Sequence, residues 1–493
     1  MAQFADMFKY VTLSMFFKKS KKKFNHLLVI PKLECTTLNV SKHGLNKSLQ
    51  QVDILVLSFG AMIGWSWVVL ISQLMERAGS VGALVATLTA GAVIVVIGMI
   101  YAELTAAMPE VGGEHAYSLR AMGKTASFYC TWAIVFAYVS VVAFEAVALP
   151  SVLTNIFPSL GNGELWQVNG ASVYLDQALI GALVSMLITW INIRGVRIAA
   201  IIQGVVVAVI VLSGLALFIG LGAHGETINM TPLIVGGGTG ILAAMALVPF
   251  MMVGFDIIPQ AAEEIDLPAK KIGQLLVLSI IMAIVWYLLI ELSVGMLLNA
   301  DARSTSELAT VDATQAAWGR TGALILLLGG VAGILTSWNG FLLGGSRALF
   351  AMASSGMLPA FLAKVHPRYR TPVNAILFIG LLGTLSPFLG RQALIWFVDA
   401  GSLGLMVAYI FVCGSFLVLR YKEPDMPRPY QAPGGKLLGW FGLLASLMMI
   451  SLYFPGMPAA LVWPQEWLMV IVWFAAGSLV YFHSQKLSKV KSQ

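Results

Sequence analysis

The sequence predicts an all-α integral membrane protein with about twelve transmembrane helices, and two observations support this prediction. Hydrophobic residues make up 58% of the 493 residues and charged residues only 11%, whereas a soluble domain averages roughly 45–50% apolar and 25% charged residues. Segments with the roughly 20 mostly apolar residues that a crossing helix needs recur about twelve times. Because lipid offers the backbone no hydrogen-bond partner, we expect each segment to be a helix.

The apolar segments are numbered here as span 1 to span 12 in chain order. Longer connections, 157–176 and 299–321, separate spans 3 and 4 and spans 7 and 8. The predicted spans are 52–75, 82–108, 127–156, 177–193, 198–222, 238–262, 273–298, 322–352, 373–389, 393–419, 437–455 and 461–483.

The basic residues predict the orientation in the membrane. Of the 30 Lys and Arg residues, Arg77, Arg303, Arg320 and Arg391 lie on one side of the predicted membrane and Arg347 lies near the end of span 8. All the others lie on the opposite side, with a cluster before span 1. Positively charged loops stay in the cytoplasm, so a multi-pass protein of the cell membrane with both termini cytoplasmic is predicted. Topology and the lipid bilayer account for the net charge of +7, so no nucleic-acid partner is expected.

Spans 1 and 6 are interrupted at corresponding places. Span 1 contains Gly60-Ala-Met-Ile-Gly64-Trp-Ser66, and span 6 contains Pro249-Phe-Met-Met-Val-Gly254-Phe-Asp256. Glycine permits unwound backbone, and proline removes a backbone donor. Spans 1 and 6 are five apart, so a five-plus-five inverted repeat would make them symmetry mates, and paired broken helices indicate a transporter's binding site. The alternative is that the glycines only permit close helix packing.

Several short motifs then follow one another in a fixed order. They are Gly60–Gly64, Tyr101-Ala-Glu-Leu104, Gly112-Gly-Glu114 with Tyr117, Gly254-Phe-Asp256 followed by Ala262-Glu-Glu264, Gly356-Met-Leu-Pro359, His366-Pro-Arg-Tyr-Arg-Thr-Pro-Val-Asn374 and Pro424-Asp-Met-Pro-Arg-Pro-Tyr430. In order and spacing the sequence resembles the amino acid–polyamine–organocation superfamily of permeases over about residues 45–485. The resemblance implies transport of an amino acid or small amine, coupled to protons or run as exchange, without a cofactor.

The same resemblance implies a LeuT-like fold, with ten core helices in two inverted halves and two peripheral helices. The implied organisation is a basic cytoplasmic N-terminal segment 1–50, a ten-helix transport core 51–420 with repeats at about 52–222 and 238–419, a cytoplasmic loop 421–436, two peripheral helices within 437–483 and a cytoplasmic tail 484–493.

The resemblance also implies which residues bind the substrate. In the superfamily the carboxylate and the amine of the substrate lie against the unwound backbone of spans 1 and 6. Carried onto this sequence, the binding residues are Ile63, Gly64, Trp65 and Ser66 in span 1 and Phe250, Met251, Met252 and Val253 in span 6.

Two of these positions carry a more specific expectation. Phe250 falls where relatives often hold an aromatic residue that covers the substrate, and the alternative is a lipid-facing or core phenylalanine. Many relatives have Gly-Ser-Gly across the first break, where this chain has Gly64, Trp65 and Ser66. A tryptophan beside the site is expected to shrink or reshape it.

Carboxylates within the spans are the next candidates, because a charge inside a bilayer costs about 2.5–3.5 kcal/mol on insertion scales. Glu103 lies in a motif near the inner end of span 2 and is expected to be a structural or gating contact. Asp256 follows the break of span 6 and is either a proton-sensing or gating group or a helix-end carboxylate. Glu291 and Asp399 lie in outer halves of their spans and are expected to face water.

Glu145 is the carboxylate with the strongest functional expectation. It lies in the apolar run Val141-Val-Ala-Phe-Glu145-Ala-Val, and a gap-free match from Gly112-Gly113 places it on the face of span 3 that lines the side-chain pocket of relatives. It is expected to bind a cationic substrate group or to carry a coupling proton. The alternative is a packing role with a neighbouring polar group.

The coupling ion is expected to be H⁺, with Na⁺ as the less favoured alternative. Some proton-coupled relatives place a lysine in span 5, but this span 5 has none and contains the apolar run 205–212. A sodium site would need span-1 carbonyls and hydroxyls such as those of Thr336 and Ser337 in span 8. Hydroxyls in membrane helices more often bond their own backbone.

Other functional classes find little support in the residues. A channel would need a continuous polar stripe or a ring motif, and only isolated acidic residues are present. A membrane enzyme would need a nucleophile–base pair or a metal cluster, and neither the histidines nor the three cysteines show one. A substrate-binding sensor derived from a transporter fold remains the alternative to a carrier, and only the basic N-terminal segment favours it.

Overall fold

The computed structural model describes residue 45 and residues 47–157, 159–306 and 308–492. Most of the predicted N-terminal segment 1–50, including its lysine cluster, lies outside these described residues. Within them, nine helices are long and apolar enough to cross a membrane, and the two helices of span 1, bent by 43°, form a tenth candidate crossing.

The helices follow the predicted spans in order. Spans 9 and 11 are shorter apolar helices, so the described residues offer up to ten full-length crossings. The helices are Gln51–Met62 and Ser66–Ala78 (span 1), Ser80–Ala107 (span 2), Lys124–Ile156 (span 3), Leu175–Arg194 (span 4), Val196–His224 (span 5), Gly237–Met245, Val248–Met252 and Ile257–Gln260 (span 6), Ala269–Leu297 (span 7), Ala309–Ser354 (span 8), Val373–Leu385 (span 9), Ala393–Lys422 (span 10), Lys436–Ser451 (span 11) and Gln465–Ser492 (span 12).

The loop between spans 3 and 4 departs from the all-α expectation. It contains an antiparallel hairpin of strands Glu164–Val168 and Ala171–Tyr174. Asn169 and Gly170 form the turn with positive φ angles of 49° and 81°. This backbone suits a two-residue hairpin turn, for which Asn-Gly is the strongest short-range sequence signal, and the sequence analysis missed it.

The loop between spans 7 and 8 is also more ordered than expected. It contains the short helix Ala300–Thr305, and the helix of span 8 already begins at Ala309 and changes direction at Gly319, where φ is 63°. The Arg303 guanidinium donates to the carbonyl oxygens of Asn229, Gly295, Leu298 and Thr231 at 2.5–3.0 Å. These bonds hold the connection between spans 5 and 6 against the end of span 7.

Span 3 lies at the centre of the described helices, and all residues of its most apolar stretch are buried. It packs against spans 8 and 10. Spans 4, 5 and 12 are mostly exposed on their outer faces, as expected of helices that meet lipid. Any side chain of the middle of span 3 therefore faces the interior.

A short helix, Glu114–Met122, joins spans 2 and 3 outside the crossing helices and carries the buried His115. Its Nε2 lies 2.7 Å from the Ser355 hydroxyl, and its Nδ1 lies 3.2 Å from the Ser127 hydroxyl. Burial lowers the pKa of His115 from 6.5 to about 4. Between about pH 6.5 and pH 4, the His115 imidazole is therefore neutral in the folded protein, whereas the same imidazole in an unfolded chain binds a proton.

We expect the detergent-solubilised protein to lose stability as the pH falls from about 6.5 to about 4. In this window the unfolded chain binds a proton at His115 that the folded protein does not, and the full difference amounts to roughly 3 kcal/mol. Thermal unfolding midpoints between pH 4 and 7.5 would show a flatter profile for His115→Asn. The exposed His483 provides the matched control, His483→Asn. Parallel profiles for the wild type and His115→Asn would refute this account.

Candidate functional site

The break of span 1 lies where the glycine-containing segment predicts it. The first helix ends at Met62, Ile63 has a non-helical backbone (φ −102°, ψ 59°), and the second helix begins at Ser66. All four predicted binding residues of the break, Ile63 to Ser66, are buried. The amino end of the second helix carries N–H groups that no preceding turn can pair.

The break of span 6 faces the break of span 1 directly. Val253 is extended (φ −63°, ψ 141°) and Gly254 has a φ of 134°. A Cβ atom on Gly254 would lie 2.8 Å from the backbone nitrogen of Met62 and 3.0 Å from the carbonyl carbon of Ala61. Only glycine permits this approach, so the structure brings the two predicted breaks together.

Glu145 reaches this junction from the centre of span 3. Its Oε1 accepts the backbone N–H of Trp65 at 3.3 Å, and the Ser337 hydroxyl lies beside it. The carboxyl group is buried, and its Oε2 has no hydrogen-bond partner among the described residues. A carboxyl group thus lies at the amino end of a helix, where the helix dipole favours negative charge.

The Trp65 side chain lies against span 8. Its ring contacts Gly330, and Gly333 lies against the carbonyl oxygens of Ile63 and Gly64. A Cβ atom on Gly333 would lie 2.7 Å from the Gly64 oxygen and 2.9 Å from the Ile63 oxygen. The glycines of span 8 therefore make room for the Trp65 ring and for the backbone of the break.

The predicted residues of span 6 are buried beside spans 3 and 10. The Phe250 ring meets the Phe144 ring edge to face, with centroids 5.5 Å apart, and it lies close to Gly401 of span 10. Met251, Met252 and Val253 are also buried. Phe250 thus stands between the break of span 6 and the central span 3, within the protein interior rather than against lipid.

Thr336 and Ser337 also adjoin the break of span 1. The Thr336 hydroxyl lies 2.8 Å from the Gly60 carbonyl oxygen and 2.9 Å from the Gly333 carbonyl oxygen of its own helix. Thr336 therefore links span 8 to span 1 and also bonds its own backbone, while Ser337 faces Glu145.

Asp256 follows the break of span 6 and is buried. Its Oδ1 accepts the N–H of Gly254 at 3.0 Å, and its Oδ2 accepts the Tyr409 hydroxyl of span 10 at 3.4 Å. A second buried carboxyl group, Glu114, accepts a hydrogen bond from the Gln260 amide. Burial, and secondarily the nearby Asp256, raise the pKa of Glu114 well above its usual range.

Glu103 lies near the carboxyl end of span 2, and its hydrogen bonds and ion pairs go to residues outside the two breaks. It pairs with Arg420 at 2.5 Å and with Arg428 at 3.1 Å, and it accepts the N–H of Ala432 at 2.8 Å. These contacts tie span 2 to the end of span 10 and to the loop that follows.

Glu291 does not face water as expected. It is buried, and its Oε1 accepts the Thr87 hydroxyl of span 2 at 2.5 Å. Asp399 is partly buried. The expectation failed for Glu291 because spans 2 and 7 pack along their length, a contact that position in the sequence does not reveal.

Comparison with known proteins identifies the family. The family described as amino acid permease matches residues 49–476, most of the chain. The chain belongs to the amino acid permease family. Like the members of that family, this permease is a helical membrane protein.

Individual relatives of the permease are distant but cover most of it. The branched-chain amino acid permease BcaP of Bacillus subtilis is 26% identical over 90% of this chain and 95% of its own length. The methylthioribose transporter of the same organism is 26% identical over 92% and 97%. The vacuolar cationic amino acid transporter 4 of Arabidopsis thaliana is 27% identical over 78% of this chain and 65% of its own length.

The permease has a buried amide chain beside the break that the sequence analysis missed. The Gln203 amide of span 5 donates to the carbonyl oxygen of Thr336 at 3.1 Å. Its oxygen accepts from Asn339 of span 8 at 2.7 Å, and Asn339 accepts from Asn192 of span 4 at 2.8 Å. The sequence does contain a signal for this amide chain, because Gln203 is a polar residue within the predicted span 5, two residues before its apolar run. Polar residues inside membrane helices are rare and usually face the protein interior.

Tyr287 of span 7 is a second residue that the sequence analysis missed. Its hydroxyl lies 2.7 Å from the Ser66 hydroxyl and donates to the Met62 carbonyl oxygen at 2.8 Å. It therefore joins the two halves of span 1 across the break. A single tyrosine in an apolar helix gives no sequence signal for this role.

Proposed function

We propose that the permease is a secondary active transporter that moves an amino acid or a related small amine across the cell membrane by alternating access. The observation that carries the proposal is the contact between the broken spans 1 and 6, with the buried carboxyl group of Glu145 at their junction. The names of the relatives support a carrier, since two are amino acid carriers and the third is a methylthioribose transporter, and the two amino acid carriers support the proposed substrate class. These three relatives are transporters rather than sensors, so they do not support the sensor alternative.

We infer the five-plus-five inverted repeat of the ten-helix core 51–420 from the packing pairs. Spans 5 and 8 pack together, and so do spans 10 and 3. In a repeat that relates span 1 to span 6, span 5 corresponds to span 10 and span 8 corresponds to span 3. The packed pair of spans 5 and 8 is therefore equivalent to the packed pair of spans 10 and 3. The repeat also maps the packed pairs of spans 2 and 7 and of spans 4 and 9 onto themselves. Spans 11 and 12 within 437–483 are then peripheral.

The proposed orientation places both termini in the cytoplasm. It rests on the positions of the basic residues. These residues collect before span 1, in the loops that follow spans 2, 4, 6, 8 and 10, and after span 12. The first 50 residues, the loop 421–436 and the tail 484–493 are then cytoplasmic.

For substrate binding we propose the backbone of residues 63–66 and 250–253, with Phe250 as the aromatic cover. Unwound backbone at the bilayer midplane offers both N–H and C=O groups to a polar ligand. Met251 and Met252 supply a soft apolar lining that adapts to different side chains.

For coupling we propose H⁺ carried by the buried carboxyl groups of Glu145 and Asp256, or substrate exchange. Asp256 bonds to the break of span 6 and to span 10, so a change in its charge acts on two helices at once. Glu103 serves as an anchor of the inner gate. Sodium binding at Thr336 and Ser337 is the alternative, and it is less favoured because the Thr336 hydroxyl already lies within bonding distance of two carbonyl oxygens.

The proposal is tested by uptake of labelled amino acids and amines into proteoliposomes that contain the purified full chain. Gradients of pH, of Na⁺ and of internal substrate are imposed separately. We expect a pH gradient or internal substrate to stimulate uptake by about tenfold, within the usual range for coupled binding. Asp256→Asn should weaken the stimulation by a pH gradient, because one of the two proposed proton carriers is lost, and it should leave exchange of external for internal substrate intact.

Glu291→Gln provides the control, since Glu291 is equally buried but its carboxyl group bonds to Thr87 of span 2 rather than to a break. Stimulation by a Na⁺ gradient alone would replace H⁺ by Na⁺ in the proposal. Absence of flux for every compound under every gradient would refute the transporter proposal.

A further inference from the structure

The permease fills with its own carboxyl group a position that would suit the carboxylate of a substrate. The N–H of Trp65, at the amino end of the second helix of span 1, has no partner within its own helix. Oε1 of Glu145 accepts this N–H at 3.3 Å. Such an end combines free donors with the positive end of the helix dipole, which makes it a natural anion site. Here the carboxyl group of Glu145 in span 3 occupies that position.

The backbone around this position leaves little room for a second carboxylate. A Cβ atom on Gly64 would collide with Oε1 of Glu145 and would lie 2.7 Å from the Ser337 hydroxyl oxygen. Gly333 of span 8 also lies directly against the carbonyl oxygens of Ile63 and Gly64. A substrate carboxylate at the Trp65 N–H would therefore meet a steric obstacle, and it would also meet a like charge once Glu145 pairs as a carboxylate with the ammonium group of the same substrate.

The other oxygen of Glu145 lacks the partner that an amine would supply. Oε2 is buried without a hydrogen bond from the described residues. The groups that face Glu145 are the Trp65 N–H of span 1, the Ser337 hydroxyl of span 8 and the Tyr287 phenol of span 7. None of these groups is a cation, whereas an ammonium group has three donors and no acceptor.

We propose that Glu145 is the counter-ion for the ammonium group of the substrate, and that the permease therefore selects amines without a free α-carboxylate over amino acids. The inference rests on the proposed transport function and narrows its substrate class. Candidate substrates are primary amines and amino acids whose carboxyl group is blocked as an amide.

The proposal also fixes the proton balance. In the empty site Glu145 holds a proton as a neutral carboxylic acid, because an unpaired carboxylate is costly in this interior. When R–NH₃⁺ binds, the O–H bond breaks, the proton leaves, and the carboxylate pairs with the ammonium group. The site is neutral in both states, so one amine crosses in exchange for one proton without net charge movement.

A purely structural role for Glu145 makes a different prediction. Glutamine at this position keeps an oxygen that accepts the Trp65 N–H, so a helix-end role survives Glu145→Gln. A counter-ion role does not survive, because the amide carries no charge. This substitution therefore separates the two roles.

The test uses the full-length permease in proteoliposomes and matched sets of probes. One set is leucine, leucinamide and 3-methylbutylamine, another is phenylalanine, phenylalaninamide and phenethylamine, and N-acetyl-leucine serves as the probe without an ammonium group. We expect the amines and amides to enter at least about tenfold faster than the parent amino acids, because juxtaposed like charges cost several kcal/mol. We expect Glu145→Gln to lower amine uptake by at least about 30-fold, and Glu291→Gln to leave the preference unchanged.

The wild-type panel decides the inference even if Glu145→Gln fails to fold, which a thermal unfolding scan would reveal. Faster uptake of the parent amino acids would overturn the inference and leave the transporter proposal standing. Amine uptake that persists in a folded Glu145→Gln variant would also overturn it. An amine flux that generates a membrane potential would contradict the proton exchange, and absence of flux for every probe would count against transport itself.

Discussion

Replacing Arg347 by methionine is expected to lower the free energy of unfolding by about 3–5 kcal/mol, the usual cost of leaving one partner of a buried ion pair alone. The Arg347 guanidinium of span 8 donates to both carboxylate oxygens of Glu264, at 2.7 and 3.2 Å, and both side chains are fully buried. The carbonyl oxygen of Glu264 also accepts the N–H groups of Ser48 and Leu49. The pair thus holds the segments before span 1 and after span 6 against span 8.

The double variant Arg347→Met with Glu264→Gln is expected to recover much of this loss, because it leaves no unpaired charge. Arg120→Met is the control for arginine removal, since the Arg120–Glu423 pair is exposed and exposed pairs contribute little. Thermal unfolding in detergent measures all three variants. Equal destabilisation by Arg347→Met and Arg120→Met would contradict the assignment of a buried, stability-determining pair.

Replacing Gly333 by alanine is expected to reduce the rate of transport about 10–100-fold. The added Cβ would lie under 3 Å from the carbonyl oxygens of Ile63 and Gly64, and these are backbone atoms that no side-chain rotation can move. Overpacking of this kind costs about 1–3 kcal/mol, and here it falls on the broken segment that is proposed to hold the substrate. Initial uptake rates in proteoliposomes measure the effect.

Gly414 of span 10 provides the matched control. A Cβ atom there meets nothing within 4 Å, so Gly414→Ala should preserve transport and stabilise its helix by up to about 1 kcal/mol. Wild-type uptake by a folded Gly333→Ala variant would show that span 8 and the break of span 1 are not tightly opposed during transport.

The sequence by itself determined the class of protein and the places where its helices break. Twenty-residue apolar segments must be helical in lipid, and glycine and proline act on the backbone where they stand. The breaks of spans 1 and 6 were therefore predictable from the segments 60–66 and 249–256. The Asn169–Gly170 turn is equally local, because an Asn-Gly pair by itself favours a two-residue hairpin turn.

Only the tertiary structure decided which groups meet at the breaks. Glu145 and Trp65 are 80 residues apart, and Gln203 and Thr336 are 133 apart. An apolar helix shows almost no amphipathic pattern that would reveal which face turns inward. The sequence therefore marked Glu145 as a costly group, but it could not show that its carboxyl group bonds to the N–H of Trp65, because that contact depends on how spans 1, 3 and 8 pack.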